Sequence, residues 1–344
     1  MQRKSILVLG ATGGLGGAVA ATFLAHGWRV RALTRHRNPV VGLPPDLAGI
    51  EWVNGDAMNP ADVCRAARDA SGQAVDCIFH GLNPPNYQRW RELALPMLAH
   101  SVEAARQTGA RLLFPGNVYN YGPDAGVWLD EAASQHPLTR KGQVRVEMEA
   151  MLQAGGQEGL RAIVVRAGDF FGRSGPSTWF SRVMVKPGRP VRKVLLPAEP
   201  QMGHAWAYLP DLAETFYQLA LREAQLPAFD TFHFGGHWTP ASIELVESIR
   251  RVTGREHIRA ARAPWRLIAW LSPWVGLMRE IQEMRYLWRT PMRLNNRKLV
   301  QLLGHEPHTP LDDAIRQALV DQGCLPASTD PQPDQFRDER PLLR

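Results

Sequence analysis

The sequence is poor in cysteine, with only Cys64, Cys77 and Cys324 among its 344 residues. Three is an odd number, and none of the spacings is that of a metal site. Two of these cysteines stand in apolar stretches, where a reduced and buried thiol is the usual state. The small number excludes a disulfide-stabilised fold, and it leads us to expect a cytoplasmic protein in a reducing compartment.

The sequence also lacks long hydrophobic runs. The apolar stretch before Gly10 has only about four residues, far fewer than a signal peptide needs, so we expect no secretion. Residues 265–278 hold a cluster of tryptophans, but Arg266 and Pro273 interrupt it, and a bilayer span needs about 20 apolar residues. Packing in the core or in a pocket is the favoured interpretation of this segment. Contact with a membrane surface and a homodimer interface are the alternatives.

No single element concentrates the positive charge. The net charge is +7, from 40 lysines and arginines against 33 aspartates and glutamates, and the arginines are spread over the chain. This distribution argues against nucleic acid binding and suits a protein that attracts an anionic cofactor. Hydrophobic residues make up 44% of the chain, which is enough for one large α/β domain with a smaller lobe.

Apolar strand patterns alternate with helical patterns along the chain. The predicted strands are 5–9, 29–33, 50–53, 75–80, 111–114, 162–165 and 229–234. The predicted helices are 14–26, 60–70, 87–108 and 139–153, with further helices after Pro210, Pro240 and Pro310. Such alternation builds a parallel sheet with helices on both faces.

The first predicted strand runs directly into a glycine-rich turn and then into a helix. Glycine tolerates a positive φ and lets the backbone approach a phosphate, while the free amides and the dipole of a helix N-terminus favour an anion. The turn therefore predicts a pyrophosphate site for a dinucleotide, although a purely structural turn is the alternative. The predicted contacts are Gly10, Thr12, Gly13, Gly14, Leu15 and Gly16.

The spacing of Gly10, Gly13 and Gly16 resembles that of the atypical or extended short-chain dehydrogenase/reductase superfamily, in its epimerase/dehydratase-like branch. The resemblance extends from Lys4 to about Leu319. It implies an α/β fold with a Rossmann-type doubly wound parallel sheet and a smaller C-terminal substrate lobe. We place the NAD(P)-binding domain at 1–167 with returning segments at about 204–240, the substrate lobe at 168–203 and 241–325, and a mobile tail at 326–344.

The end of the second strand distinguishes the two nicotinamide cofactors. An acidic residue there binds the adenosine ribose of NAD, whereas this chain reads Thr34-Arg35-His36-Arg37. A guanidinium holds a 2′-phosphate through paired, charge-assisted hydrogen bonds. We therefore predict NADP rather than NAD, with Arg35 as the main contact and Arg37 as the second. Solvated arginines at the strand end are the alternative.

Two further segments match cofactor contacts of the family. Asp56 and Ala57 follow the third strand and resemble a Gly-Asp pair whose carboxylate binds the adenine amino group. Asp56 as the cap of the helix near Pro60 is the alternative. Gly81 and Asn83 follow the fourth strand, where the backbone of the family passes the ribose and the pyrophosphate.

The chain departs from the family at the catalytic residues. Members carry a Ser or Thr after the fifth strand and a Tyr-x-x-x-Lys on the next helix, where the tyrosine is the general acid/base and the lysine holds the nicotinamide ribose. Asn117, Lys141 and Arg145 stand at these three positions here. The resemblance implies that Asn117 orients the substrate and that Arg145 holds the ribose, and it puts proton transfer in doubt.

Three explanations account for the missing tyrosine. Lys141 could titrate, because the like charge of Arg145 lowers the pKa of a lysine. A phenol on another element, from Tyr119, Tyr121 or Tyr87, could have taken over the role. The chain could also bind NADP and a ligand without turnover, as a regulator or a scaffold. An exposed lysine on the helix surface is the alternative interpretation of Lys141.

The region after the sixth strand predicts the substrate side. Arg166-Ala167-Gly168-Asp169-Phe170-Phe171-Gly172 resembles the family's turn beside the nicotinamide, and the residues that follow are strongly basic: Arg173, Arg182, Lys186, Arg189, Arg192 and Lys193. An anionic small molecule fits this charge, and a solvated basic loop is the alternative. The expected function is NADP-dependent oxidoreduction or epimerisation at a hydroxyl or carbonyl group. We predict no metal site.

Overall fold

The computed structural model describes residues 3–36, 44–84, 89–172 and 178–326. Arg37, Tyr87 and Arg173, which the sequence analysis singled out, lie outside these residues, as does the predicted tail from residue 327 onward.

Seven of the strands correspond to the predicted ones with shifts at their ends, and seven further strands were not predicted. The strands of the described residues are β1 (Ser5–Leu9), β2 (Arg29–Thr34), β3 (Glu51–Asn54), β4 (Cys77–His80), β5 (Arg111–Asn117), β6 (Trp128–Leu129), β7 (Arg161–Ala167), β8 (Asp169–Phe171), β9 (Lys193–Leu196), β10 (His204–Tyr208), β11 (Phe229–His233), β12 (His237–Thr239), β13 (Arg259–Arg262) and β14 (Arg293–Leu294).

Seven of these strands form one parallel sheet in the order β11-β7-β5-β4-β1-β2-β3. Leu9, at the end of β1, pairs with Leu33 of β2 on one side and with His80 of β4 on the other. The chain builds outward from β1 in both directions, so the carboxyl ends of β1 and β4 border the crevice at which such sheets bind ligands. The predicted Rossmann-type doubly wound sheet is confirmed.

The helices of the described residues are α1 (Gly14–Ala25), α2 (Pro60–Ala66), α3 (Trp90–Thr108), α4 (Arg140–Gln157), α5 (Leu209–Leu221), α6 (Ile243–Thr253), α7 (Trp265–Leu271), α8 (Gly276–Glu283), α9 (Arg297–Leu303) and α10 (Leu311–Asp321). Helices α1, α5 and α9 cover one face of the seven-stranded sheet, and α2, α3 and α4 cover the other. Phe23 of α1 and Phe216 of α5 fill the core on one face, and Leu98 of α3 and Met148 of α4 fill the core on the other. Burial of these apolar side chains on both faces holds the layers together.

The second helix ends earlier than predicted, at Ala66 rather than near Ala70. The Asp69 carboxylate accepts hydrogen bonds from the amides of Ser71 and Gln73, at 2.9 and 3.0 Å. Gly72 adopts a φ of +84° in the same turn. A short polar side chain that bonds to the nearby backbone competes with the helix and ends it here.

Shorter strands form the region beyond the large sheet. Strands β12, β10 and β8 make a three-stranded sheet, while β13 pairs with β9 and β14 pairs with β6. A third core lies among these strands, α6 and α10, and it includes Phe180, Trp206, Ile249 and Trp288.

The tryptophan-rich segment forms α7 and α8, and no residue of either helix is buried. The favoured expectation, packing of this segment in the core, is wrong for most of its length. Trp179, Trp265 and Trp288 already close the core beneath the two helices, so Trp270 and Trp274 remain at the surface. In the described part of the chain, no helix combines the length and the apolar character needed to cross a bilayer.

Candidate functional site

The turn between β1 and α1 is built so that only glycine fits. Gly10 adopts a φ of +92°, and a Cβ there would lie 2.7 Å from the carbonyl oxygen of Gly81. A Cβ on Gly16 would lie 2.1 Å from the carbonyl oxygen of Gly10. Both distances are far below a normal contact, so the absence of side chains brings α1 close to the strand ends.

The N-terminus of α1 is bare. Among the described residues no side chain caps it, and its first turn contains no acidic residue. The amide of Gly13 donates to the carbonyl of Gly10 at 2.9 Å, while Gly14, Leu15 and Gly16 line a cavity of about 440 Å³. A helix start that carries no negative side chain and faces a cavity suits an anionic ligand.

A second cavity of about 230 Å³ adjoins the first one. Both are lined by Gly10, Thr12, Leu82 and Asn83, so together they form one elongated groove across the ends of β1 and β4. The predicted residues that line the larger cavity are Gly10, Thr12, Gly13, Gly14, Leu15, Gly16, Gly81, Asn83, Asn117 and Arg145. Those that line the smaller cavity are Gly10, Thr12, Arg35, Asp56, Ala57 and Asn83.

The smaller cavity presents an arginine at the end of β2. Arg35 is exposed and lines this cavity between Thr34 and His36. Asp56 also lines it, and its carboxylate accepts a hydrogen bond from the amide of Met58 at 2.9 Å. The cap of α2 is Asn59 and not Asp56, because the Asn59 side chain accepts the amide of Ala61. A cation and a carboxylate therefore line the same small cavity.

Arg145 of α4 extends into the larger cavity. Its guanidinium donates to the Asn83 side-chain oxygen at 2.8 Å and to the carbonyl of Pro115 at 3.2 Å. The indole of Trp90 lies 5.0 Å away, within the range of a cation–π interaction. These contacts fix a buried positive charge between the ends of β4 and β5.

His80 is a buried group beside this cavity that sequence reasoning did not select. Its Nδ1 lies 2.8 Å from the hydroxyl of Ser101, and that hydroxyl donates to the carbonyl of Met97 at 3.0 Å. Burial, together with the charge of Arg145, lowers the pKa of His80 to about 3. The imidazole is therefore neutral at ordinary pH and serves to position the end of β4.

Asn117 and Tyr119 lie together where β5 ends at the larger cavity. The Asn117 side-chain oxygen accepts the amide of Tyr119 at 2.9 Å, which shapes the short turn after the strand. Both residues line the cavity. Asn117 and Tyr119 therefore both line the part of the groove that lies away from Arg35.

Tyr121 faces away from the groove into a buried polar network. Its hydroxyl accepts a hydrogen bond from Arg166 at 2.6 Å and lies 2.8 Å from Nε2 of His233. Arg166 in turn donates to the carboxylate of Glu149 at 2.6 Å. Burial raises the pKa of Tyr121, which keeps the phenol protonated. The second tyrosine that the sequence offered is thus part of the fold's interior.

Lys141 is held by two carboxylates from α8. Its ammonium donates to Glu283 at 2.7 Å and to Glu280, and only 3% of the lysine side chain is exposed. Burial acts to raise the pKa of Glu283, but the hydrogen bond and charge of Lys141 lower it overall. Lys141 is not among the residues that line the larger cavity.

A carboxylate that lines the larger cavity is paired with a buried histidine. Asp169 lines this cavity, and its carboxylate is 2.8 Å from Nε2 of His204. The His204 ring stacks on Trp288 with ring centroids 4.0 Å apart. Sequence reasoning missed Asp169 as a site residue, because strand β8 was not among the predicted strands.

A cluster outside the groove combines Asp211, His237 and His308, whose possible ligand atoms lie within 4.8 Å of one another. Both oxygens of Asp211 already accept hydrogen bonds from Thr309, from the amide at 2.8 Å and from the hydroxyl at 2.7 Å. These two hydrogen bonds give Asp211 a structural role. We assign the cluster to the packing of α5 against the loop before α10.

Comparison with known proteins identifies one matching family and several solved structures with a similar fold. The model of the NAD dependent epimerase/dehydratase family matches residues 6–233. The UDP-glucose 4-epimerase from Brucella ovis in complex with NAD superposes with a TM-score of 0.70 at 17% identity, over 93% of this chain and 98% of that chain. The UDP-N-acetylglucosamine 4-epimerase from Bacillus cereus superposes with a TM-score of 0.68 at 13% identity, over 95% of this chain and 99% of that chain.

MoeE5 in complex with UDP-glucose and NAD gives a TM-score of 0.67 at 16% identity, over 92% of this chain and 97% of that chain. At such identities the likeness to these solved structures concerns the fold. No curated protein matches the sequence of this chain.

Proposed function

Because the chain belongs to the NAD-dependent epimerase/dehydratase family, we propose that it binds NADP in the groove and catalyses oxidoreduction or epimerisation of a small anionic substrate. The observation that carries this proposal is the continuous groove, which joins the bare N-terminus of α1 to the cavity beside Arg35. An elongated groove with an anion site at its middle fits a dinucleotide rather than a mononucleotide.

The glycine turn passes the test of fit for this cofactor. A Cβ on Gly10 or on Gly16 would collide with the backbone of Gly81 or of Gly10, so only glycine lets the start of α1 approach the strand ends and offer its free amides to a pyrophosphate. When bound, the nicotinamide supplies or accepts the hydride of the reaction. The residues of this chain bind the cofactor, orient the substrate and move the proton.

NADP is favoured over NAD by the end of β2. Arg35 is exposed at the smaller cavity, where it can form paired hydrogen bonds with a 2′-phosphate. The strand end carries Thr34, Arg35 and His36 and no carboxylate to bind two ribose hydroxyls. The Asp56 carboxylate can then accept a hydrogen bond from the adenine amino group.

Arg35→Ala is expected to weaken NADPH binding about tenfold, which is about 1.4 kcal/mol, while NADH binding stays unchanged. The loss is specific to NADPH because only this nucleotide carries the 2′-phosphate. Isothermal titration with each nucleotide measures the effect. Arg259→Ala serves as the matched control, since it removes the same charge from an exposed position outside both cavities. An equal loss for both nucleotides in Arg35→Ala would refute the assignment.

Arg145 is placed to hold the nicotinamide ribose. Its guanidinium is fixed by Asn83 and by Pro115 at the larger cavity, and it stands where the family carries its lysine. An arginine stays charged at all ordinary pH values, so it binds ribose hydroxyls without taking part in proton transfer.

We assign proton transfer to Tyr119 and substrate orientation to Asn117. Tyr119 lines the larger cavity, whereas Tyr121 belongs to the Arg166 network and Lys141 is held by Glu280 and Glu283. Of the three groups that the structure describes, Tyr119 is thus the one with access to a ligand in the groove. Asn117 beside it offers an amide that hydrogen-bonds a carbonyl or hydroxyl oxygen.

The substrate that fits this groove is anionic. Arg182 lines the larger cavity at its outer side and is exposed there. Its charge attracts a carboxylate or a phosphate. UDP-glucose, which MoeE5 binds, is one compound of this chemistry, and it provides a first member of a substrate panel.

A second candidate function is that of a regulator that binds NADP without turnover. The observation that favours it is Lys141, which replaces the family's tyrosine and is tied into an ion pair. Incubation with oxidised or reduced nucleotide and a panel of nucleotide sugars, hydroxy acids and ketones, followed by mass spectrometry, separates the two. A product that requires the nucleotide supports the enzyme. Tight NADPH binding without any product across the panel favours the regulator.

A further inference from the structure

A concentrated apolar surface lies on the segment 265–283, which we call the tryptophan hairpin and which comprises α7, α8 and their connection. In the described part of the chain, exposed large hydrophobic side chains cluster here, with Trp270 64% exposed and Trp274 72% exposed. The two indoles lie 5.7 Å apart, and the rest of the cluster is Leu267, Val275 and Leu277. A contiguous apolar patch of this kind marks a surface that meets a partner.

The exposed charges of the segment that carries this patch have one sign. Residues 265–289 are all described, and the charged side chains exposed among them are Arg266, Arg279 and Arg289. The two carboxylates of the same segment, Glu280 and Glu283, point inward to Lys141, with 10% and 14% of their side chains exposed. The outer surface therefore combines indole rings with arginines.

The hairpin is held firmly by the rest of the molecule. Lys141 of α4 anchors α8 through Glu283, and the hydroxyl of Tyr286 donates to the carbonyl of Tyr121 at 3.2 Å. At the other end, the Trp265 indole donates to the carbonyl of Pro197 at 2.7 Å. The exposed indoles are therefore presented on a fixed support, so a partner does not have to order a loose loop when it binds.

We propose that the tryptophan hairpin docks the protein on the surface of an anionic lipid bilayer. Indole rings favour the boundary between headgroups and acyl chains, because each has a large apolar body and one polar N–H group. Arginines beside them are attracted to anionic headgroups. This combination of apolar contact and positive charge is what interfacial helices use, and α7 and α8 are far too short to span the bilayer.

The docked orientation brings the groove close to the membrane. Trp179 lines the larger cavity, and its ring centroid lies 6.4 Å from that of Trp265, the first residue of the hairpin. The indoles of Trp265 and Trp179 thus connect the first residue of the hairpin to the cavity wall. Docking itself does not depend on which reaction the groove performs.

Co-sedimentation of the full chain with vesicles tests the docking surface. We expect binding to phosphatidylcholine vesicles that contain about one third phosphatidylglycerol, little binding to phosphatidylcholine alone, and weaker binding as salt is raised. The double variant Trp270→Ser/Trp274→Ser is expected to lose at least about tenfold in affinity for the anionic vesicles. The double variant Arg266→Ala/Arg279→Ala is expected to lose most of the salt-dependent part of the affinity for anionic vesicles.

The matched control is Trp128→Ser/Leu138→Ser, which removes two exposed apolar side chains outside the hairpin and is expected to bind as the parent does. Thermal melting establishes that each variant is folded. Absence of binding to anionic vesicles, or equal loss in the control, overturns the proposal. A second result would also overturn it: light scattering shows a dimer that Trp270→Ser/Trp274→Ser abolishes, and neither the parent nor any variant binds vesicles. The hairpin would then join two copies of the chain.

Discussion

Lys141→Met is expected to lower the free energy of unfolding by about 3–5 kcal/mol and to leave dinucleotide affinity unchanged. The substitution leaves the carboxylates of Glu280 and Glu283 without the ammonium that they share in a nearly buried site. Breaking a buried ion pair is costly because the remaining charges keep their desolvation penalty. Affinity is unaffected because Lys141 does not line the groove.

Chemical denaturation and nucleotide titration measure the two quantities side by side. In the triple variant Lys141→Met/Glu280→Gln/Glu283→Gln the unpaired charges are gone, so most of the lost stability should return. If Lys141→Met is as stable as the parent but has lost all turnover, the account is contradicted. Lys141 would then be the general acid of the reaction.

The same ion pair predicts a pH dependence. The folded pKa of Glu283 lies below its usual value, so its contribution to stability is present above the unfolded pKa and is lost as the pH falls through the folded one. We expect this part of the acid-induced destabilisation to be absent in the triple variant. Denaturation curves at successively lower pH give the comparison.

Tyr119→Phe is expected to lower kcat by about 10²–10⁴-fold while NADPH affinity and thermal stability stay close to those of the parent. The phenol lines the larger cavity beside Asn117, and removal of its hydroxyl leaves no proton donor at that point of the groove. The ring itself remains, so the packing of the turn is preserved. Single-turnover measurements with a substrate from the panel separate this step from nucleotide binding.

Tyr121→Phe provides the contrast, because it removes a hydroxyl that Arg166 and His233 use in the buried network. This variant should lose about 1–3 kcal/mol of stability and keep its kcat. If Tyr119→Phe kept the full rate, proton transfer would belong to another group, and Asp169, which lines the larger cavity and contacts His204, would be the next to test.

The parallel sheet and the glycine turn before α1 were predictable because their signals are local. Strand β1 carries an apolar run of four residues after Ser5, and the glycines after it are needed at positions where a Cβ would collide with the backbone of Gly10 or Gly81. The position of Arg35 at the smaller cavity was predictable for a similar reason, since the end of β2 borders the ligand crevice in sheets of this type. These features need no knowledge of distant residues.

The partners of the central polar side chains were not predictable, because they come from far along the chain. Glu280 and Glu283 follow Lys141 by 139 and 142 residues, and His204 follows Asp169 by 35. No periodicity in the sequence encodes such pairs. The exposure of Trp270 and Trp274 was missed because apolar residues in a short helix are usually buried, and only the filled core beneath them shows otherwise.

Calorimetric titration of the full chain with NADPH and with NADH tests the central claim most directly, since the account rests on a groove that holds a dinucleotide beside Arg35. It predicts one NADPH per chain, bound at least about tenfold more tightly than NADH. Equal affinity for the two nucleotides would contradict the assignment of NADP. Binding of neither one would contradict the proposed function as a whole.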